Sequence, residues 1–340
     1  MRSQLITKLL QSTNPSIRWK VRVNVLGENP NSKEIKNLRE EIRNGDIAKK
    51  LLPRHDKSGH IISKGHVYDK WQGAHWVLAS LADIGYPEND KSLHPAKDDV
   101  LDAWLNPFYF NEVIIEKKSQ LQQKEGVPVI EGRYRRCGSM QGNALWYLQK
   151  LGFKDKRIDS LVERLLHWQW PDGGWNCDKN FSADTSSFME TILPLRGLAL
   201  YAKLNNDKKV RKAADKAAEV FLSRHLYKRI TNGKIIHPEF THLHYHLYWH
   251  YDILHGLKVL AESGYIKDKR CNDALDLLES KELKSTGESQ GWPAEKKYFK
   301  TSNTLGHNTD YVNWGSPSKK IMNEWVTADA LFVLKEAGRL

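Results

Sequence analysis

The sequence predicts an all-α fold, an α/α toroid in which about six helical hairpins close into a ring of inner and outer helices. Three observations predict it. Strand periodicity is nearly absent from the 340 residues. Apolar helical segments alternate with amphipathic ones. The apolar segments also recur at a spacing of roughly 45–75 residues, as in a helical repeat whose units cannot bury their own apolar faces and must stack.

The elements follow in chain order. Residues 16–26 (SIRWKVRVNVL) form an early apolar helix stopped by Gly27, and Ser32 caps the charged helix of SKEIKNLREEIRNG. The apolar pattern returns as WQGAHWVLASLADIG (71–85), MQGNALWYLQKLG (140–152), SSFMETILPLRGLALYAK (186–203), YWHYDILHGLKVLAESG (248–264) and NEWVTADALFVLKEAG (323–338). Between these lie the amphipathic segments DSLVERLLHWQW (159–170), KKVRKAADKAAEVFLSRHL (208–226) and RCNDALDLLESKEL (270–283). No Ser/Gly linker or low-complexity tract divides the chain, so residues 1–340 read as a single toroid domain. The proline-bearing, lysine- and glutamine-rich stretch 86–130 reads as an irregular excursion between helices.

The net charge of +12 invites a nucleic-acid, anionic-membrane or acidic-substrate partner. Lysines such as Lys203, Lys208, Lys209, Lys212 and Lys216 lie scattered on polar helix faces, where charge serves solubility. Three cysteines (Cys137, Cys177 and Cys271) without CxxC spacing suit a reducing compartment. The start of the chain lacks a signal-peptide apolar run, and no window is long enough to span a membrane, so the expected location is cytoplasmic. Twelve tryptophans and thirteen tyrosines are enough to fill a core or wall a large pocket.

The most specific local signal is WQWPDGGWNCD, residues 168–178. Asp172-Gly173-Gly174 makes a tight turn that needs glycine, Gln169 can bond the end of a neighbouring helix, and Trp175 can stack on the adjoining repeat. Gln169, Pro171, Asp172, Gly173, Gly174 and Trp175 resemble the Q-x-P-D-G-G-W repeat of squalene cyclases and the related prenyltransferase β repeats, with weaker echoes at Gly291-Trp292-Pro293 and Gly256-Leu257. In pattern the resemblance runs from about residue 65 onward. It implies the toroid and a central cavity for an isoprenoid or another hydrophobic anion.

The family's chemistry transfers incompletely. FSADTSS (181–187) stands where the cyclase DxDDTA motif belongs. Asp184 and Thr185 match its end, and Ala183 takes the place of the proton-donating acid. Against the prenyltransferase zinc set, Ala183 and Thr185 fall on the Asp and Cys positions, and the His position falls on Trp249 beside His250. A zinc ion could instead be assembled from Cys177, Asp178 and His250.

Polar residues at the starts of the inner helices are the expected cavity lining. Lys70, Trp71 and His75 come from the second hairpin, with Tyr68 and Gln72. Arg133, Arg135, Arg136 and Gln141 come from the third, and arginine forks suit phosphate or carboxylate. Asp178, Asp184 and Glu190 come from the fourth. His244, His246, Tyr248, Trp249, His250 and Asp252 come from the fifth, in a stretch with four histidines in nine residues (242–250). Trp314, Glu324 and Trp325 come from the last. The expected catalytic groups are Asp178, Asp184, Glu190, His250 and Asp252, and the others, apart from Tyr68 and Gln72, bind substrate. For each, a structural role such as capping a helix or packing under a loop competes.

Three functions stay open at this point. The first is an enzyme or binding protein for an isoprenoid or other hydrophobic anion. The second is a carbohydrate-active lyase or hydrolase on an acidic sugar, because such enzymes also use α/α toroids and clefts of Tyr, His, Arg and Trp. The third is a nucleic-acid or protein-binding module, which ranks last because no helix-turn-helix, RNP or zinc-finger signature appears.

Overall fold

The computed structural model describes residues 2–52, 56–61, 65–122, 126–285, 288–302, 304 and 308–340. Among the described residues, thirteen α-helices carry the fold. They are α1 (Ser3–Leu10), α2 (Pro15–Trp19), α3 (Lys33–Arg43), α4 (Asp46–Leu51), α5 (Ala74–Asp83), α6 (His94–Trp104), α7 (Gly138–Lys150), α8 (Arg157–Trp168), α9 (Phe188–Asn205), α10 (Lys208–Leu222), α11 (Ile253–Ser263), α12 (Asn272–Ser280) and α13 (Glu324–Glu336). A π-helical turn, Lys20–Val25, prolongs α2.

Six helices line the inside of the ring: α2 with its π turn, α5, α7, α9, α11 and α13. Nearly every residue of α5, from Ala74 to Ala82, is buried, and α7, α11 and α13 are similar. The partners α1, α3, α6, α8, α10 and α12 bury one stripe only, as Ile158, Leu161, Val162, Leu165 and Trp168 do on α8. The ring closes at Lys20, whose ammonium bonds both α5 and α13. The protein is therefore an α/α toroid of six hairpins. Residues 86–130, expected to be irregular, include outer helix α6 as well as the short strands β1 (Glu112–Ile114) and β2 (Val127–Ile130). Among the described residues, no helix is long and apolar enough to cross a membrane.

Repeated local devices tie hairpin to hairpin. Trp175 donates from Nε1 to the Leu165 carbonyl of α8, while its backbone N–H donates to Thr191 Oγ1 of α9. Trp292 repeats both bonds, to Leu278 of α12 and Thr327 of α13. Gln169 Nε2 reaches the Ala213 carbonyl in the body of α10 at 2.8 Å, not the open end of a helix. Gly173, at φ +102°, lies so close to Lys216 that a Cβ there would sit 2.3 Å from the Lys216 carbonyl oxygen. A second device is Asp155-x-Arg157 at the start of α8 and Asp268-x-Arg270 at the start of α12. In each, the aspartate accepts from the arginine backbone and side chain. Arg157 then reaches Asp102 of α6, and Arg270 reaches Glu219 of α10.

The tightest seam joins α7 and α9. A Cβ on Gly142 would lie 2.3 Å from the Pro194 nitrogen, and one on Gly197 would lie 2.5 Å from the Gly142 carbonyl oxygen. Pro194 has no N–H to donate inside α9, so backbone can meet backbone there without displacing a helical bond. Gly142→Ala is expected to cost about 2–3 kcal/mol, because two backbones must part. An unchanged midpoint in urea unfolding would show that the helices are not in backbone contact.

The connections differ sharply in length on the two ends of the ring. Turns from inner to outer helices are short, whereas residues 105–137, 169–187, 223–252 and 281–323 lead into inner helices. The long loops thus gather at the N-terminal ends of the inner helices, including β3 (Arg133–Tyr134), the hairpin of β4 (Leu283–Ser285) and β5 (Glu288–Gly291), and the pair β6 (Lys300–Thr301) and β7 (Thr309–Asp310). Binding sites concentrate on loops held by a rigid scaffold, and this end is the mouth of the ring.

Candidate active site at the inner-helix N termini

The floor of the mouth is a buried circuit of charges. Lys20 Nζ lies 2.9 Å from Asp83 Oδ2 and 3.0 Å from Asp329 Oδ1. Lys258 Nζ lies 2.8 Å from the other oxygen of each. Four inner helices supply one member each, and the signs alternate around the ring axis. Tyr245 Oη donates to Asp83 at 2.8 Å. Arg196 approaches Asp83 at 3.7 Å and holds Glu262 with two bonds of 2.5 and 2.7 Å. Burial alone would push the Asp83 carboxyl up, but Lys20, Lys258 and Arg196 overcome it and hold the group well below the carboxylate range. Burial likewise opposes the Lys258 ammonium, yet Asp329 and Asp83 raise its pKa above that of an ordinary lysine. The hollow on the mouth side of the circuit is about 50 Å³, lined by Asn143, Trp146, His246, Leu254 and His255 among others.

Nearer the opening, Glu190 occupies the first turn of α9. Its Oε2 accepts from the Ser139 N–H at 3.1 Å and the Ser139 hydroxyl at 2.7 Å, and its Oε1 accepts from Cys177 Sγ at 3.4 Å. Cys137, immediately before α7, joins them: one ligand atom from each of Cys137, Cys177 and Glu190 lies within 4.8 Å of the others. A hydrogen bond with Cys137, burial and the charge of Glu190 all push the Cys177 thiol upward. Arg136 is buried against this group. Burial lowers its pKa, and the charges of Cys137, Tyr109 and Glu190 act in the opposite direction. Its guanidinium lies 4.6 Å from the centre of the Tyr109 ring and 5.9 Å from that of Trp168. Burial, helped by the charges of Cys137, Glu190 and Cys177, pushes the Tyr68 phenol above the usual tyrosine range, so it stays protonated.

The loop that presents Cys177 is ordered by its own side chains. Asn176 accepts from the Asp178 N–H, Asp178 from the Asn180 N–H, and Asn180 from the Ser182 N–H, a run of Asx turns. Asp178 and Asp184 are exposed on it.

Across the mouth stands an aromatic wall. Tyr298 stacks between His250, at 3.7 Å, and His244, at 4.3 Å, and Trp249 stacks on the far face of His250 at 4.0 Å. Burial lowers the His250 pKa to about 4. Lys70 Nζ lies 5.1 Å from the Trp249 ring and 5.5 Å from the Trp71 ring. Trp71 stacks on Tyr248 at 4.1 Å, and Tyr248 donates to Asp310, which also accepts from Trp314 Nε1 at 2.7 Å. Burial pushes the Asp310 carboxyl up to about 6.

The ring thus brings Arg136, Cys177 and Glu190 into one group and Lys70, Trp71, Trp249 and His250 into another. The other expected residues, the exposed Asp184 aside, are buried or have fixed partners. Asp252 caps α11, accepting from the His255 N–H with Oδ1 and the His244 N–H with Oδ2, each at 2.8 Å. His75 is fully buried, with Nδ1 3.1 Å from both Trp104 Nε1 and Tyr147 Oη. Gln141 is buried in α7. His246 lies between the Tyr248 and Trp314 rings, and Trp325 stacks on Tyr245 at 5.3 Å. Arg133 and Arg135 both lie over Trp170, at 5.8 and 4.6 Å, and Arg135 donates to the Ala183 carbonyl. Glu324 accepts from Ser12 at the α1–α2 turn. Of the expected zinc set, Cys177 meets Cys137 and Glu190, whereas Asp178 bonds Asn180 and His250 bonds the Leu247 carbonyl. The axial circuit, Asp310 and the pairing of Cys137 with Cys177 were not foreseen. One usable signal was a charged residue set among apolar neighbours in four of the apolar repeats: Asp83, Arg196, Lys258 and Asp329.

No family model matches the chain, and no curated protein matches it. Among solved structures it is similar to an unsaturated glucuronyl hydrolase from Bacillus sp. GL1, responsible for the degradation of glycosaminoglycan. The TM-score is 0.41 at 13% identity, over 94% of this chain and 84% of that chain. The expectation of a squalene-cyclase or prenyltransferase relative acting on an isoprenoid is corrected accordingly: the solved structure found is a hydrolase, not a cyclase. The ring axis gives the physical reason. Where a terpenoid would need a wide apolar hollow of several hundred Å³, this ring holds Lys20, Asp83, Lys258 and Asp329 beneath a space of about 50 Å³. The motif that carried the resemblance, residues 168–178, ties hairpins together and says nothing about chemistry.

Proposed function

We propose that the protein is a carbohydrate-active enzyme that breaks a glycosidic bond of an acidic sugar at the mouth of the ring. One observation carries the reading: a phenol that burial keeps protonated, Tyr68, and a guanidinium held over Tyr109, Arg136, both feel the charge of Glu190 at the end of the ring where aromatic side chains and long loops collect. Inner-helix N termini converge on the same end, and their dipoles favour an anion there. Arg136 and Lys70, each held over aromatic rings, add full positive charges. Aromatic faces such as Trp249 suit the apolar faces of sugar rings, and the cations suit a uronate carboxylate. In this scheme Arg136 neutralises the acidic group of the substrate, Tyr68 donates a proton to the departing glycosidic oxygen while water adds to the anomeric carbon and returns a proton to Tyr68, and Glu190 balances Arg136 while substrate is absent.

The test is a panel of oligosaccharides, uronate-bearing and neutral, with products separated by chromatography and new or lost unsaturation followed by ultraviolet absorbance. Cleavage is expected for the acidic members alone, and Tyr68→Phe should lower turnover about 10²–10⁴-fold with helix content unchanged. Equal handling of acidic and neutral sugars, or full activity in Tyr68→Phe, would overturn the assignment.

A further inference from the structure

We infer that Cys137, Cys177 and Glu190 form a binding site for a divalent ion of the zinc class. The observation is geometric: two thiol sulfurs and a carboxylate oxygen, from segments 40 and 53 residues downstream of the first, lie mutually within 4.8 Å. Thiolate sulfur and carboxylate oxygen are both common zinc ligands, and three protein ligands leave the open position that a reactive ion keeps for water or substrate. Sulfurs bound to one tetrahedral zinc stand ~3.8 Å apart, given Zn–S bonds near 2.3 Å. The group therefore has to contract by at most about 1 Å.

Charge supports the same conclusion. Two thiolates and the Glu190 carboxylate would be three negative charges in a half-buried place, which the protein alone does not favour. A divalent ion together with the adjacent Arg136 guanidinium brings the sum to zero. Without the ion, Cys177 donates its thiol proton to Glu190 Oε1 at 3.4 Å. Binding then releases two thiol protons, one from each sulfur, and frees Oε1 for the metal. Glu190 Oε2 remains fixed by Ser139, the kind of supporting bond that orients a metal ligand.

This inference deepens the sugar reading, since an ion here would offer its open coordination position to the acidic group of the substrate. Metal binding needs no carbohydrate, however, so each can fail without the other. The experiment titrates the reduced, metal-free full chain with Co²⁺, then displaces it with Zn²⁺. One ion per chain is expected, with thiolate-to-cobalt charge-transfer bands and two protons released. Cys137→Ser and Cys177→Ser should each weaken binding more than about a hundredfold, whereas Cys271→Ser, immediately before the remote outer helix α12, should not change it. Zinc should also protect two of the three cysteines of the unaltered chain from alkylation, a readout that stands even where a serine variant folds poorly. Absence of the thiolate bands, unchanged binding in the serine variants, or alkylation indifferent to zinc would each overturn the site.

Discussion

Asp83→Ala should destabilise the fold by about 3–5 kcal/mol, because it leaves Lys20 and Lys258 buried with Asp329 as their one shared carboxylate. The side chains involved are almost wholly enclosed, so water cannot supply the missing negative charge. The loss should appear as a lower midpoint in urea unfolding with an unchanged slope. A companion variant separates the worth of the charges from the cost of breaking them. Replacing all four members with apolar residues of similar volume (Lys20→Met, Asp83→Leu, Lys258→Met and Asp329→Leu) should be far less harmful than Asp83→Ala alone. If the quadruple variant is the worse of the two, the circuit is a net source of stability and the expectation is wrong.

Acidification should weaken the fold well above the pH at which ordinary carboxylates titrate. Burial lowers the His75 pKa to about 3, with a small contribution from His66, and burial together with Arg196 lowers that of His255 to about 4. Geometry gives the cause at His75. The indole N–H of Trp104 can only donate, so Nδ1 must stay an acceptor. Unfolded, both rings titrate near pH 6.5. Below that value the unfolded chain binds protons that the folded chain refuses, so stability falls with pH until the folded values are reached. The loss that these two rings bring by pH 4 should be on the order of 5 kcal/mol, offset in part by Asp310, whose raised folded value adds stability as pH falls below about 6. Asp83 acts differently: its depressed folded pKa gives stability that is present above about pH 3.9 and disappears only as pH drops through the folded value. Unfolding free energies measured at pH 7.5, 5.5 and 4.5 should therefore decline from the first interval onward. A flat profile down to pH 4.5 would show that these rings are charged, or wet, in the fold.

Much of the ring was legible because its signals are local. Helical periodicity, the stops at Gly85, Gly152, Gly264 and Gly338, and the turn at Trp175 all act within a few residues of themselves. The copies at 71–85, 140–152, 248–264 and 323–338 fall on inner helices α5, α7, α11 and α13. The repeated Lys-Asp-Lys-Arg at 154–157 and 267–270 was equally local and went unread, although it opens two outer helices in the same way. Chemistry was less legible because it depends on which hairpins become neighbours. Asp83 in WVLASLADIG and Lys258 in ILHGLKVLAES look like defects in apolar helices until the ring lays one against the other. Cys137 and Cys177 likewise show no metal spacing in the chain, and only the side-by-side packing of α7 and α9 makes them adjacent. The cyclase-like turn misled for the opposite reason: a local motif is a reliable guide to how hairpins are joined, and carries no information about what the ring encloses.

The alternating circuit on the axis also bears on biosynthesis. A ribosome makes Lys20 early, Asp83 soon after, and Asp329 only when the sixth inner helix is emerging. Until then the first hairpins hold a cation with half its counter-charge, in a half-ring that cannot exclude water. The nascent chain thus has reason to stay loose, and the last hairpin acts as a keystone that locks the arch when it arrives.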